Sequence, residues 1–451
     1  MLVFLLVRPQ ELNPSWATSL PSLTNFAFLA VLGWFLDVRR LNSRSNVPPP
    51  LPFIIAYLGW CLITLIPNRP DTILAALSSL LILFLLYFVI AFGCQSFRKL
   101  TLVCVCYLVC GLFITFVVVG QGFGPNECFE EDPHSVGDLE ELRPDGRPCE
   151  TALDCRGEDA EPGKRYLCAK IGPFETSAIG ERVRYIGRLN DPNETSLAVA
   201  IIAPFALALY ELRRNWRRWF LMMLTIVGVG LAVYFSQSRG GQLVFLSVFA
   251  TYLYRKSGWK GLLVAGVMAL PLMLFGGRSG EEAESSSLER LECWRTGMEL
   301  FRESPLYGIG AYRFTDHHFL TAHNSYVLAS AETGIVGIWL FVSILYVSFK
   351  SVMAGVGMPD DNSEVSKMRR IWGVAFLASL IGTAVGVFFL SFAYHFVLWI
   401  LLGVVGAYYG AVKAHQPTFE VKIGRLDYFL ITTTTFVLVI VLYLYTGLKA
   451  G

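Results

Sequence analysis

Apolar runs of bilayer length recur a dozen times along this chain, and every second connection between them is basic. A helix needs about 20 mostly apolar residues to cross a hydrocarbon core. The runs fall at residues 23–36, 53–66, 72–92, 100–119, 196–212 and 219–235, then at 243–254, 261–275, 326–349, 371–390, 396–412 and 428–445. The run at 243–254 is short and is expected to borrow residues 238–242 for depth. Of the 451 residues 54% are hydrophobic and 16% charged, against about a quarter charged in soluble domains. The fold class this predicts is an all-α polytopic membrane protein of about 12 transmembrane helices.

Orientation follows from the connections. One set carries Arg39, Arg40 and Arg44, then Arg98 and Lys99, then Arg213, Arg214, Arg217 and Arg218. It continues with Arg255, Lys256 and Lys260, then Lys367, Arg369 and Arg370, and ends with Lys413, Lys422 and Arg425. The positive-inside rule places these in the cytoplasm. Two large polar segments then face outward, which gives five stretches: N-terminal helices (1–119), a loop with four cysteines (120–193), central helices (194–275), a second outward loop (276–325) and C-terminal helices (326–451). Residues 1–7 form an apolar stub before Arg8 and Pro9, unlike a secretory signal, and read as the end of a span or a segment dipping into the outer leaflet. The net charge of +2 gives no reason to expect a nucleic-acid partner.

Cys128, Cys149, Cys155 and Cys168 share the first outward loop, which carries acids such as Glu130, Glu131 and Asp132. An even set in an oxidising compartment predicts two disulfides, with three pairings open. A zinc site is the weaker alternative: no spacing is Cys-x-x-Cys, and His134 alone lies nearby. No cofactor is expected.

Charges at the outer mouth are the informative exceptions. Ser238-Arg239-Gly240-Gly241 joins two runs with almost no loop, so Arg239 sits at the outer interface. There it either lines a cavity and binds an anion or snorkels from a tight turn. In the second outward loop Ser286-Ser287-Leu288-Glu289 has capping-box spacing. Leu288, Leu291, Trp294, Met298 and Phe301 follow at helical spacing, predicting an amphipathic helix on the membrane or over the spans. Arg290, one turn before Trp294, either stacks on the indole or is a solvated charge. Asn324 or Ser325 caps the next span. His323 beside that helix N-terminus is held neutral by the macrodipole, as a general base requires, or is an interface histidine. Glu332, deeper in the span, calls for a proton or an arginine partner and a supporting role. Arg182, Arg184 and Arg188 precede Asp191-Pro192-Asn193, a helix start; they meet phosphate or pair with the loop's acids.

Taken in order, Arg188 with Asp191-Pro192-Asn193, Ser238-Arg239-Gly240-Gly241, Arg290 with Trp294, Ser304-Pro305-Leu306-Tyr307-Gly308-Ile309-Gly310, Ala322-His323-Asn324 and Glu332-Thr333-Gly334-Ile335-Val336-Gly337 resemble the bacterial O-antigen ligase and polymerase family. The resemblance implies a metal-independent, inverting glycosyltransferase with a C-type fold in the bacterial inner membrane, its active site facing the periplasm. It implies a glycan donor on undecaprenyl diphosphate and a glycan, lipid or protein acceptor, among membrane lipids. Residue by residue, Arg239 and Arg290, with Arg188 and Arg184, would hold the diphosphate. His323 would activate the acceptor hydroxyl, with Asn324, Trp294 and Glu332 in support. A transporter or flippase is the reading from another class; its ionisable residues would lie mid-membrane, whereas these gather at the outer mouth.

Overall fold

The computed structural model describes residues 1–12, 29, 31–33, 35–36, 45–131, 142–151, 153–156, 164–277 and 281–448. Among them nine helices are long and apolar enough to cross a membrane: Leu51–Asn68, Pro70–Gly93, Phe97–Phe123, Pro192–Leu212, Trp216–Phe235, Ser325–Gly357, Glu364–Gly386, Phe396–His415 and Arg425–Gly447. Two further expected runs are helical but fall short. Arg239–Ser257 carries Arg239, Gln242, Arg255 and Lys256, and Trp259–Phe275 is apolar but has only 17 residues. The expected run at 23–36, Arg39, Arg40, Arg44, Asp132 and His134 lie wholly or largely outside the described residues.

The chain forms two compact units, each discontinuous in sequence: Met1–Phe26 with Val105–Arg278, and Ala27–Cys104 with Ser279–Gly451.

In the first unit helix starts follow their caps. Asp191 accepts from the amide of Asn193 with Pro192 at the first helical position, Asn215 accepts from Arg218, and Ser238 accepts from Gly241. Pro204 lacks an N–H and its ring crowds the carbonyl of residue 200, so Pro192–Ala200 and Ala203–Leu212 are separate helices. The loop with four cysteines amends the all-α expectation. It contains an antiparallel sheet of β1 (Asn126–Glu131), β2 (Leu142–Pro148) and β3 (Arg165–Lys170), in the order β2-β1-β3. Of the three possible cysteine pairings the structure has Cys128–Cys155 and Cys149–Cys168, with Cα–Cα distances of 5.6 and 6.0 Å. The four half-cystines, with Tyr166, form the small core of this loop.

In the second unit Phe396–His415 lies against Ile73–Gly93 where glycines allow it. A Cβ on Gly406 would stand 2.9 Å from that of Ala91, and one on Gly403 3.0 Å from that of Ile90. The amphipathic helix of the second large loop runs Glu281–Glu303, starting before the expected capping box, so Ser286 and Ser287 lie inside it and not at its start. Acids and alanine ahead of them are good helix formers that carry the helix further back. Its buried stripe is Cys293, Trp294, Gly297, Met298 and Leu300, while Leu288 is exposed.

Candidate functional site

Among the described residues each unit holds a polar assembly at which short segments, distant in sequence, are tied together.

In the first unit the tie is made by side chains. The Oδ1 of Asn193 accepts from the Ser238 hydroxyl at 2.7 Å and from Nη2 of Arg182 at 3.3 Å. Ser238 in turn accepts from the amide of Gly241 at 3.0 Å, which caps the helix that begins at Arg239. Nε of Arg182 donates to the carbonyl of Ser236 at 3.2 Å. Gly241 is required by proximity: a Cβ there would fall 2.3 Å from Oγ of Ser196. Arg239 therefore projects, exposed, from the first turn of a helix whose start is clamped to the start of another. Arg184 is committed to the loop, with Nε on the carbonyl of Ser177 at 3.1 Å and Nη2 near its hydroxyl at 3.4 Å. Arg188 lies exposed on the turn Gly187–Leu189. The partners of Arg182 and Arg184 thus include carbonyls, an amide oxygen and a hydroxyl.

In the second unit the tie is made by backbone. The helix Ser325–Gly357 breaks at Gly334, whose φ of 64° and ψ of −166° are open to glycine alone. A break there releases carbonyls that would have accepted from the following turn. Three donors from elsewhere take them up. Ile309 N–H reaches the carbonyl of Ala331 at 2.9 Å, Gly310 N–H that of Glu332 at 3.0 Å, and the Trp60 indole that of Thr333 at 2.8 Å. In return Ile335 N–H donates to the carbonyl of Pro305 at 2.8 Å. The approach is so close that a Cβ on Gly308 would lie 2.4 Å from the carbonyl carbon of Glu332, and one on Gly334 2.2 Å from the Leu306 oxygen.

Glu332 completes this assembly. Its carboxylate is 2% exposed and accepts from the amides of Tyr312 and Phe314, each at 2.9 Å. Of the proton or arginine partner expected for it, the arginine's place is taken by backbone donors, and the carboxylate holds the segment from Gly310 onward. Asn324 is the helix cap, accepting from the amides of Tyr326 and Val327. Ser325 instead ties the corner to the connection before Phe396: its amide donates to Val387, its hydroxyl donates to Leu390, and it accepts from Phe392. His323 stands at this corner, half-buried, with a left-handed φ of 46°.

The helix carrying Arg290 packs on this same corner. Trp294 meets Phe388 edge-on at 5.3 Å and Tyr445 at 5.9 Å, and Phe388 meets Tyr326 at 6.1 Å. A Cβ on Gly297 would collide with Val327 at 2.3 Å. The elements bearing Arg290, Trp294, His323, Asn324 and Glu332 thus belong to one packed unit. Arg184, Arg188 and Arg239 belong to the other.

Sequence reading passed over Arg313 and the pair His317-His318, visible only as unusual charge in a short glycine-bounded loop. Nδ1 of His318 lies 3.1 Å from the amide of Leu320 and 3.8 Å from Sγ of Cys293. Burial pushes the Cys293 thiol up to about 11, which favours the protonated form.

Apolar helices of bilayer length, with polar assemblies where helices start and break, define a polytopic helical membrane protein. Residues 224–342, about a quarter of the chain, match the family model described as O-Antigen ligase, and the match supports the O-antigen ligase and polymerase family and its general activity of glycan transfer. The matched stretch contains Arg239, Arg290, Trp294, His323, Asn324 and Glu332; Arg184 and Arg188 precede it. No curated protein matches the chain.

Proposed function

We propose that the protein transfers a glycan from an undecaprenyl-diphosphate carrier to an acceptor hydroxyl at the periplasmic face of a bacterial inner membrane, as an O-antigen ligase does. The observation that carries this reading is the family match itself, because one continuous stretch holds the arginines, the histidine and the glycine break. As the sugar–phosphate bond breaks, the leaving diphosphate gains negative charge. In this reading Arg239 and Arg290, with Arg184 or Arg188 adding to the anion site, stabilise it with guanidinium forks in the place of a divalent ion. His323 takes the acceptor's proton as the oxygen attacks the anomeric carbon from the face opposite the leaving group, which inverts it. Asn324 supports the reading by fixing the residue after His323 in a helix cap, and Trp294 by anchoring the helix of Arg290.

The test is a profile of surface glycan and carrier-linked glycan in a deletion strain, complemented with wild type or His323→Ala. Long glycan left on the carrier supports ligation. Single repeats left there assign a polymerase instead. Normal surface glycan with His323→Ala removes this residue from the chemistry and favours transport.

A further inference from the structure

Between Pro305 and Asn324 the buried side-chain donors without a hydrogen-bond partner are Nε and Nη2 of Arg313 and Nδ2 of Asn324, with Nε2 of His318 also unpartnered. Buried polar atoms are ordinarily satisfied, so a set of donors asks for an acceptor ligand. Nδ1 of His318 lies 3.1 Å from the amide of Leu320 and 3.2 Å from its carbonyl, so both ring tautomers fit there.

Arg313 carries the argument furthest. Its position is set on both sides, because the amides of Tyr312 and Phe314 are both held by the Glu332 carboxylate. Its Nη1 pairs with Asp316 at 3.2 Å, a carboxylate that Arg69 also approaches at 3.6 Å. Nε and Nη2 form the side-on edge of the guanidinium, the pair that offers two parallel N–H groups to a carboxylate or phosphate. That edge has no partner, although the side chain is only 14% exposed. Beyond the buried Phe314, residues Thr315, Asp316 and His317 are exposed, so the edge lies close to water.

We infer that this stretch is an oxyanion site in which the side-on edge of Arg313 grips two oxygens of one anionic group. The inference rests on the proposed glycan transfer for its source of anion. The group is either the carrier's diphosphate or the carboxylate of an acidic sugar, and both present the same pair of oxygens.

The experiment titrates the full chain in lipid nanodiscs with farnesyl diphosphate and, separately, with glucuronate. Arg313→Gln is expected to weaken one of them roughly ten-fold or more, and Arg313→Lys nearly as much, since lysine keeps the charge but not the fork. Loss towards farnesyl diphosphate assigns the phosphate, and loss towards glucuronate the sugar carboxylate. Asp316→Asn, which removes the ion pair but leaves the edge, is expected to bind within about two-fold of wild type. The inference is overturned by unchanged binding of both probes in Arg313→Gln, by an equal loss in Asp316→Asn, or by a wild type that binds neither. Weakened diphosphate binding in Arg239→Gln alongside unchanged Arg313→Gln overturns this site alone and leaves the donor reading standing.

Discussion

The long loop of the first unit is closed by sulfur around a small sheet and its helix starts are tied by side chains, whereas the segment 305–310 of the second unit is tied to a broken helix mainly by main chain and glycine. In the first, two disulfides close the loop and Asn193, Ser238 and Arg182 clamp one helix start to another. In the second, a broken helix exchanges backbone hydrogen bonds with the segment from Pro305 to Gly310. The difference teaches where tolerance lies. A side-chain tie can be removed one bond at a time. The backbone tie depends on Gly308 and Gly334, where any side chain both strains the chain and strikes a carbonyl, so it fails as a whole.

The sharpest way to break this contrast is Gly334→Ala. The forbidden backbone region and the clash with Leu306 together are expected to cost more than ~3 kcal/mol, read as loss of folded protein in detergent by size exclusion and thermal melting. Glu332→Ala comes next. Two buried amides lose their acceptor at roughly 1–3 kcal/mol each, while Glu332→Gln keeps one acceptor oxygen and should melt between the two. Equal melting of the alanine and glutamine variants would contradict the shared-carboxylate geometry. In the first unit Cys128→Ser should destabilise the loop by about 2–4 kcal/mol while leaving glycan transfer measurable, checked by limited proteolysis and the surface-glycan profile. Asn193→Ala and Ser238→Ala should each cost about 1 kcal/mol, and the pair less than the sum, because both remove the same hydrogen bond.

The smallest effect concerns acid. Asp154 accepts from the amides of Thr151 and Glu150, and those bonds hold its carboxyl below the usual carboxylate range. A folded-state pKa that is depressed gives stability above the unfolded value, lost as pH falls through the folded one. Amide exchange at residues 150 and 151 should therefore speed up in acid relative to neighbouring turns. An unchanged ratio would show that Asp154 contributes nothing to the turn.

The spans were legible because apolar length has one cheap solution in a bilayer, and the caps at Asp191 and Asn324 because a short polar side chain ahead of a helix has a specific use. Other features were not. The pairing Cys128–Cys155 depends on the packing of a sheet, which spacing does not encode. The capping-box pattern at Ser286 misled because the same four residues fit a helix interior when acids precede them. Gly334 sits in an apolar run that reads as unbroken, and the donors that answer its break are main-chain groups without a signature in composition. Of the candidate site, the histidine corner and Arg239 were visible as charge where charge is costly. Arg313 was hidden among ordinary loop residues.

The break at Gly334 also divides a length. From there to Gly357 the helix is ~34 Å long, enough to cross a hydrocarbon core of ~30 Å unaided. The stretch from Ser325 to the break adds at most ~13 Å. The whole helix is therefore longer than one crossing needs, so in a bilayer it either tilts or carries one end past the hydrocarbon core.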